Sequence, residues 1–208
     1  MSPPLHPQAI RHLRRADKTL ARLISRVGPC TLKPRTRTQP YQALVRAVTY
    51  QQLNSTAAEA ILKRVLALYP GMRFPAPRRL LETPDNRLRA AGLSGAKTAA
   101  VKDIAAKTLE GIVPGLRAID RLSDEEIVER LTRVRGVGPW TVEMLLMFTL
   151  GRMDVLPATD YGIRKGFALI YGRDELPAPK EILRHGEPWR PYRTIASWYL
   201  WRALDLAD

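Results

Sequence analysis

Gly136-Val137-Gly138-Pro139-Trp140 is the stretch of this chain best suited to hold an anion. Glycines lack a Cβ and let a charged group approach the backbone, while a helix beginning at Pro139 presents unpaired amides with a partial positive charge. The same spacing also describes an ordinary turn between helices, and without a third glycine or a preceding strand it does not make a dinucleotide-binding loop. Asp160 stands at the expected start of another helix, where the dipole helps keep a carboxylate ionised. That position suits a plain N-cap as well as an electrostatic role. Leu53 lies among Gln51, Gln52 and Asn54, and reads either as an exposed apolar residue in a turn or as one more core leucine. Core packing is the usual fate of tryptophan, and Trp189 and Trp198 read that way, while Trp140 stands beside the hairpin.

Other chemistries are excluded. Gly92-x-Ser94-Gly95-Ala96 departs from the nucleophile elbow at Ala96 and follows a helical segment, so Ser94 reads as a helix cap. A single cysteine, Cys30, and three scattered histidines, His6, His12 and His185, leave no cysteine-based metal site or disulfide. The 34 lysines and arginines against 20 acidic residues give a net charge of +14, which favours a polyanionic partner such as nucleic acid. No apolar run approaches the roughly 20 residues of a membrane span, and no secretory signal is visible. A cytoplasmic protein with no membrane partner is expected.

The elements that must position these residues are helical, because almost nothing alternates with period two. Ser123-Asp124-Glu125-Glu126 predicts a capping box opening a helix to about Val134. Gly136 and Gly138 stop it, and a second helix runs from Trp140 to about Leu150 with Gly138 as N-cap. Residues 1–8 are proline-rich and read as loose, followed by one helix ending near Gly28. Helices are also expected over Tyr41 to Tyr50, Ser55 to Tyr69, Pro77 to Ala91, Ser94 to Leu109, Tyr161 to Tyr171, Pro179 to His185 and Pro188 to Ala207. Gly111 to Leu122 reads as a loop and Met153 to Thr159 as an extended link. The fold class is all-α.

Val134 to Thr141, together with Leu156-Pro157-Ala158-Thr159-Asp160-Tyr161-Gly162-Ile163-Arg164, resembles the helix-hairpin-helix DNA glycosylases, most closely the 3-methyladenine DNA glycosylase II family. Tyr50-Gln51-Gln52-Leu53, Trp189-Arg190-Pro191-Tyr192-Arg193 and Trp198-Tyr199-Leu200-Trp201 extend the similarity from about Tyr41 to the C-terminus. The resemblance implies two helical lobes with a central cleft: residues 41–152, containing the helix-hairpin-helix motif, and residues 1–40 plus 153–208, with the catalytic Asp160 at the junction. It implies a monomeric, monofunctional enzyme that hydrolyses the N-glycosidic bond of alkylated bases, 3-methyladenine and related lesions, in double-stranded DNA during base excision repair, acting at the nucleoid.

Cleaving that bond needs extrusion of the nucleotide, a pocket for the base, and stabilisation of positive charge developing on the sugar. By the resemblance these tasks fall to Leu53 with Gln52 as wedge, to Trp140, Trp201 and Tyr50 as pocket walls for a cationic purine, and to Asp160. The hairpin Gly136, Val137, Gly138 would bind phosphate, with Lys97, Arg133, Arg135, Arg164 and Lys165 as further phosphate contacts. Main-chain carbonyls of Thr132, Val134 and Val137 would hold a structural monovalent cation; no other cofactor is expected. The chain departs from some relatives in lacking a four-cysteine iron–sulfur loop and room before Tyr41 for an extra β-rich domain. In bifunctional relatives a lysine occupies the position of Trp140, so no lyase activity is expected. The competing readings are a non-catalytic DNA-binding helix-hairpin-helix module and a glycosylase for uracil, mismatched or oxidised bases.

Overall fold

The computed structural model describes residues 6–206, and no strand occurs among them. Helices α1 (Pro7–Ala16) and α2 (Lys18–Val27) are followed by α3 (Pro40–Tyr50) and α4 (Ser55–Ala67). Next come α5 (Pro77–Glu82), α6 (Asp85–Ala90), α7 (Gly95–Leu109), α8 (Leu116–Ile119), α9 (Asp124–Leu131) and α10 (Pro139–Leu145). The chain ends with α11 (Tyr161–Tyr171), α12 (Pro179–His185) and α13 (Arg193–Leu204). It divides into a middle unit, Thr36–Leu145, and a terminal unit, Met1–Arg35 with Leu146–Asp208. The sequence reading placed these boundaries at 40/41 and 152/153.

Side-chain caps set the helix starts. Asn54, Ser94 and Asp160 each accept a hydrogen bond from the amide three residues on, and the capping box of Ser123 and Glu126 forms as expected. Several expectations fail at breaks the apolar periodicity does not reveal. The first helix is two, interrupted at Asp17, whose side chain caps α2 through Leu20 N–H. Pro77 to Ala91 is likewise two, because Thr83 before Pro84 turns extended. The expected loop Gly111 to Leu122 contains α8, and the last helix starts at Arg193 after a 3₁₀ turn, Glu187–Trp189. The helix after the hairpin ends at Leu145 and passes into one π-turn, Leu146–Leu150. Of the start read as loose, residues 1–5 lie outside the described residues, and Pro7 already opens α1.

In the terminal unit, Leu13, Leu20, Ile24, Ile163, Phe167, Trp189, Tyr199 and Leu200 form one buried cluster. In the middle unit Leu44, Val48, Leu62, Leu80, Ile104, Ile127 and Val142 are buried. Asp17 is a polar knot in the terminal unit: its Oδ2 accepts from Tyr171 Oη, Trp189 Nε1 (3.1 Å) and His185 Nε2 (3.2 Å). Burial pushes the Asp17 pKa up, but hydrogen bonds from Tyr171, Leu20 N–H, Trp189 and His185 outweigh it and hold it below the ordinary carboxylate value.

Asp17→Asn is therefore expected to cost about 2–4 kcal/mol at neutral pH, because an amide nitrogen then faces donors that need an acceptor. A depressed folded pKa gives stability that is complete above the unfolded value, near 3.8, and lost as pH falls through the folded one. The gap between wild type and variant should accordingly shrink in denaturant titrations carried from pH 7 towards pH 3. A gap independent of pH would show that the Asp17 charge contributes nothing.

Candidate functional site

Asp160 enters α11 from the Met153 to Thr159 link, which is stitched to the start of α13. Thr194 N–H donates to the Met153 carbonyl (2.9 Å), Thr194 Oγ1 donates to the Arg152 carbonyl (2.7 Å) and accepts from Val155 N–H (3.0 Å), and Arg193 pairs with Asp154 through Nε (2.6 Å). Asp160 is half-buried, and its Oδ1 accepts from Ile163 N–H and from Trp201 Nε1, both at 2.8 Å. The carboxylate is thus both an N-cap and the partner of the Trp201 indole, held at a helix N-terminus whose dipole favours its negative charge.

Trp201 reaches Asp160 because residue 162 is glycine. A Cβ at Gly162 would lie 2.8 Å from Trp201 Cδ1 and 3.1 Å from Asp160 Oδ1. Phe148 stacks at a tilt on Trp201, ring centres 5.8 Å apart, and is partly exposed. Sequence reasoning missed it: Phe148 falls inside the helix expected from Trp140 to about Leu150, with nothing to mark it. No residue signature marks the π-turn Leu146–Leu150 that carries Phe148; turns of this kind recur at functional sites. Trp189 is fully buried and Trp198 packs edge-on against Tyr199, both in structural roles as expected.

In the middle unit the hairpin joins α9 to α10. Gly136 has φ +76°, and a Cβ there would meet Ala100 Cβ at 2.9 Å. Nothing lies within 4 Å of a Cβ position at Gly138, so a charged group can come close to that backbone. The Gly138 carbonyl accepts from Val142 N–H (3.2 Å), starting α10 as an N-cap does. Thr132, Val134, Gly136, Val137 and Gly138 line one open depression with Asp103, Lys107, Arg133 and Arg135. Asp103 fastens the hairpin by accepting from Arg135 N–H (2.8 Å). Trp140 follows on α10, 44% exposed despite its size.

The turn after α3 lies against this hairpin. Tyr50 is half-buried at the end of α3, Gln52 adopts φ +55°, and Leu53 is 41% exposed. Two of the polar neighbours of Leu53 are engaged within the protein. Gln51 Nε2 donates to the Gly136 carbonyl (3.0 Å) and lies 3.4 Å from Thr141 Oγ1, while Asn54 caps α4. Some expected phosphate contacts also have internal partners: Lys97 Nζ donates to the Thr49 and Gln51 carbonyls, Arg133 pairs with Glu129, and Arg164 Nε donates to the Pro177 carbonyl.

Residues 45–191 match the HhH-GPD superfamily of base excision DNA repair proteins. The chain belongs to that superfamily. It is 40% identical to DNA-3-methyladenine glycosylase 1 of Schizosaccharomyces pombe over 95% of this chain and 87% of that protein. The solved structure of that glycosylase in complex with abasic DNA superposes with a TM-score of 0.85, covering 97% of this chain and 98% of the other. DNA-3-methyladenine glycosidase from Bacillus halodurans, 34% identical, gives a TM-score of 0.86 over 96% of this chain and 91% of that one. Both solved structures are matched along nearly their whole length.

Proposed function

We propose that this chain is a monofunctional DNA glycosylase that hydrolyses the N-glycosidic bond of alkylated bases, 3-methyladenine foremost, in double-stranded DNA. The observation that carries the reading is Asp160, an acid whose Oδ1 accepts from Ile163 N–H and the Trp201 indole. An N3-alkylated adenine is already cationic, so the C1′–N9 electron pair can leave with a neutral base. Positive charge then collects on the sugar, where a preorganised carboxylate stabilises it and orients water for attack at C1′. The new C1′–O bond forms from water and its proton passes to Asp160 or solvent.

The other parts follow from their chemistry. Trp201 with Phe148, and separately Trp140, supply electron-rich faces that suit a cationic purine. The exposed Leu53 and Gln52 suit a wedge that fills the gap left in the base stack. The open backbone at Gly138 suits a phosphate. Thr132, Val134 and Val137 share one depression with Asp103, Lys107, Arg133 and Arg135; their main-chain oxygens would hold a monovalent cation, and such an ion would supply charge towards DNA and no step of the reaction. Because Trp140 stands where lyase relatives carry lysine, no amine is placed there to form a Schiff base.

Incubation with methylated DNA and chromatography of the free bases tests the reading. Release of 3-methyladenine is expected, with uracil and 8-oxoguanine retained in control duplexes. DNA binding without release of any base would support the non-catalytic module instead.

A further inference from the structure

Lys97 sits in the first turn of α7, where its backbone N–H takes the Ser94 cap and its side chain runs under the end of α3. Its Nζ donates to the carbonyls of Thr49 (2.8 Å) and Gln51 (2.7 Å), two of the groups that the end of a helix leaves without an intrahelical partner. Gln51, whose backbone Lys97 holds, points its own amide at the Gly136 carbonyl of the hairpin. The next residue, Gln52, is forced to φ +55°, a conformation that costs a non-glycine residue about 1–3 kcal/mol and persists only where its surroundings impose it. Leu53 follows directly, exposed. Beyond one local bond, from Leu53 N–H to the Tyr50 carbonyl (3.3 Å), the turn is held by the Lys97 ammonium and the Gln51 amide.

We propose that Lys97 is a positioning residue for base extrusion, clamping the turn that carries Leu53 to the hairpin through Gln51, so that grip on the backbone and insertion into the stack act as one rigid piece. The proposal rests on the reading of Leu53 as the wedge. It assigns Lys97 a role different from that of a phosphate contact, which its charge alone would suggest. Burial also holds its ammonium below the ordinary lysine pKa, a cost that a solvated surface lysine does not carry.

The test is a double-mutant cycle on single-turnover excision, with wild type, Leu53→Ala, Lys97→Met and the double variant. Each is assayed on a lesion in a paired duplex and on the same lesion in a mismatch, which is easier to extrude. Lys97→Met is expected to slow excision from the paired duplex by about 10- to 100-fold, the scale of a displaced positioning group, and to spare the mismatch. It should add nothing to Leu53→Ala, because both changes disable one device. Lys97→Arg, which keeps the donors, should restore most of the rate. Binding to undamaged duplex should keep its salt dependence.

Multiplying losses in the double variant, or equal losses on both substrates, would overturn the role of Lys97. So would a salt slope reduced by about one, the sign of a lost phosphate contact. Leu53→Ala excising like wild type would remove the wedge reading itself. Should Lys97→Met fail to fold, Gln51→Ala, which cuts the strut to Gly136 and leaves the Lys97 contacts in place, enters the same cycle with the same expected pattern.

Discussion

Asp160→Asn is expected to lower single-turnover excision by at least about 100- to 1,000-fold, the loss typical when one preorganised electrostatic group is removed from a reacting centre. The substitution separates two jobs that one side chain performs. Asparagine has the same size, keeps an oxygen to accept from Ile163 N–H and from the Trp201 indole, and ranks with aspartate as an N-cap. Folding, the melting temperature and affinity for undamaged duplex should therefore change little. What disappears is the negative charge on which the proposed hydrolysis depends. A variant that excises at the wild-type rate would reduce Asp160 to its capping role, and one that unfolds would show that the charge is needed for the fold.

Gly166→Ala is expected to be the most destabilising single methyl group in the terminal unit. A Cβ there would fall 2.1 Å from the Leu200 carbonyl oxygen and 2.8 Å from its carbon, and both partners are backbone. No rotamer change relieves that overlap; α11 must move away from α13. Overpacking of this kind costs about 3 kcal/mol or more, which for a chain of this size corresponds to roughly 6–12 °C in Tm. Because α11 begins at Asp160 and α13 carries Trp201, the displacement also breaks the bond between them, so excision should fall further than the loss of folded protein accounts for. Gly162→Ala provides the contrast. Its new methyl meets the Trp201 side chain, not backbone, so activity should suffer more than stability. Equal melting temperatures for wild type and Gly166→Ala would refute the close approach of α11 to α13.

The parts of this molecule that were legible in the sequence are those with local causes. The capping box at Ser123, the caps at Ser94 and Asp160, and the hairpin between α9 and α10 each depend on a few adjacent residues, and each forms where the residues predict. What the sequence concealed depends on partners far along the chain. Asp17 breaks the first helix because Tyr171, His185 and Trp189 supply donors from more than 150 positions away. Gln51 and Lys97 look like polar groups available to DNA, yet their partners are main-chain carbonyls, which leave no mark in a sequence. Phe148 was hidden for a related reason: a π-turn has no clear residue signature, and an apolar run looks like core until its register is known. Gly162 gave no turn signal at all, since its function is to leave room for an indole carried by another helix.

The most direct test of the central claim uses a duplex with a single 3-methyladenine analogue and an end label, incubated with wild-type protein and then divided in three. One portion is run untreated, one is heated in alkali to break abasic sites, and one is treated with borohydride to trap any Schiff base. Hydrolysis through Asp160 and water predicts an intact strand in the untreated portion, cleavage at the lesion after alkali, and no protein–DNA adduct. Strand cleavage without alkali accompanied by a trapped adduct, or an alkali-resistant duplex, would contradict it.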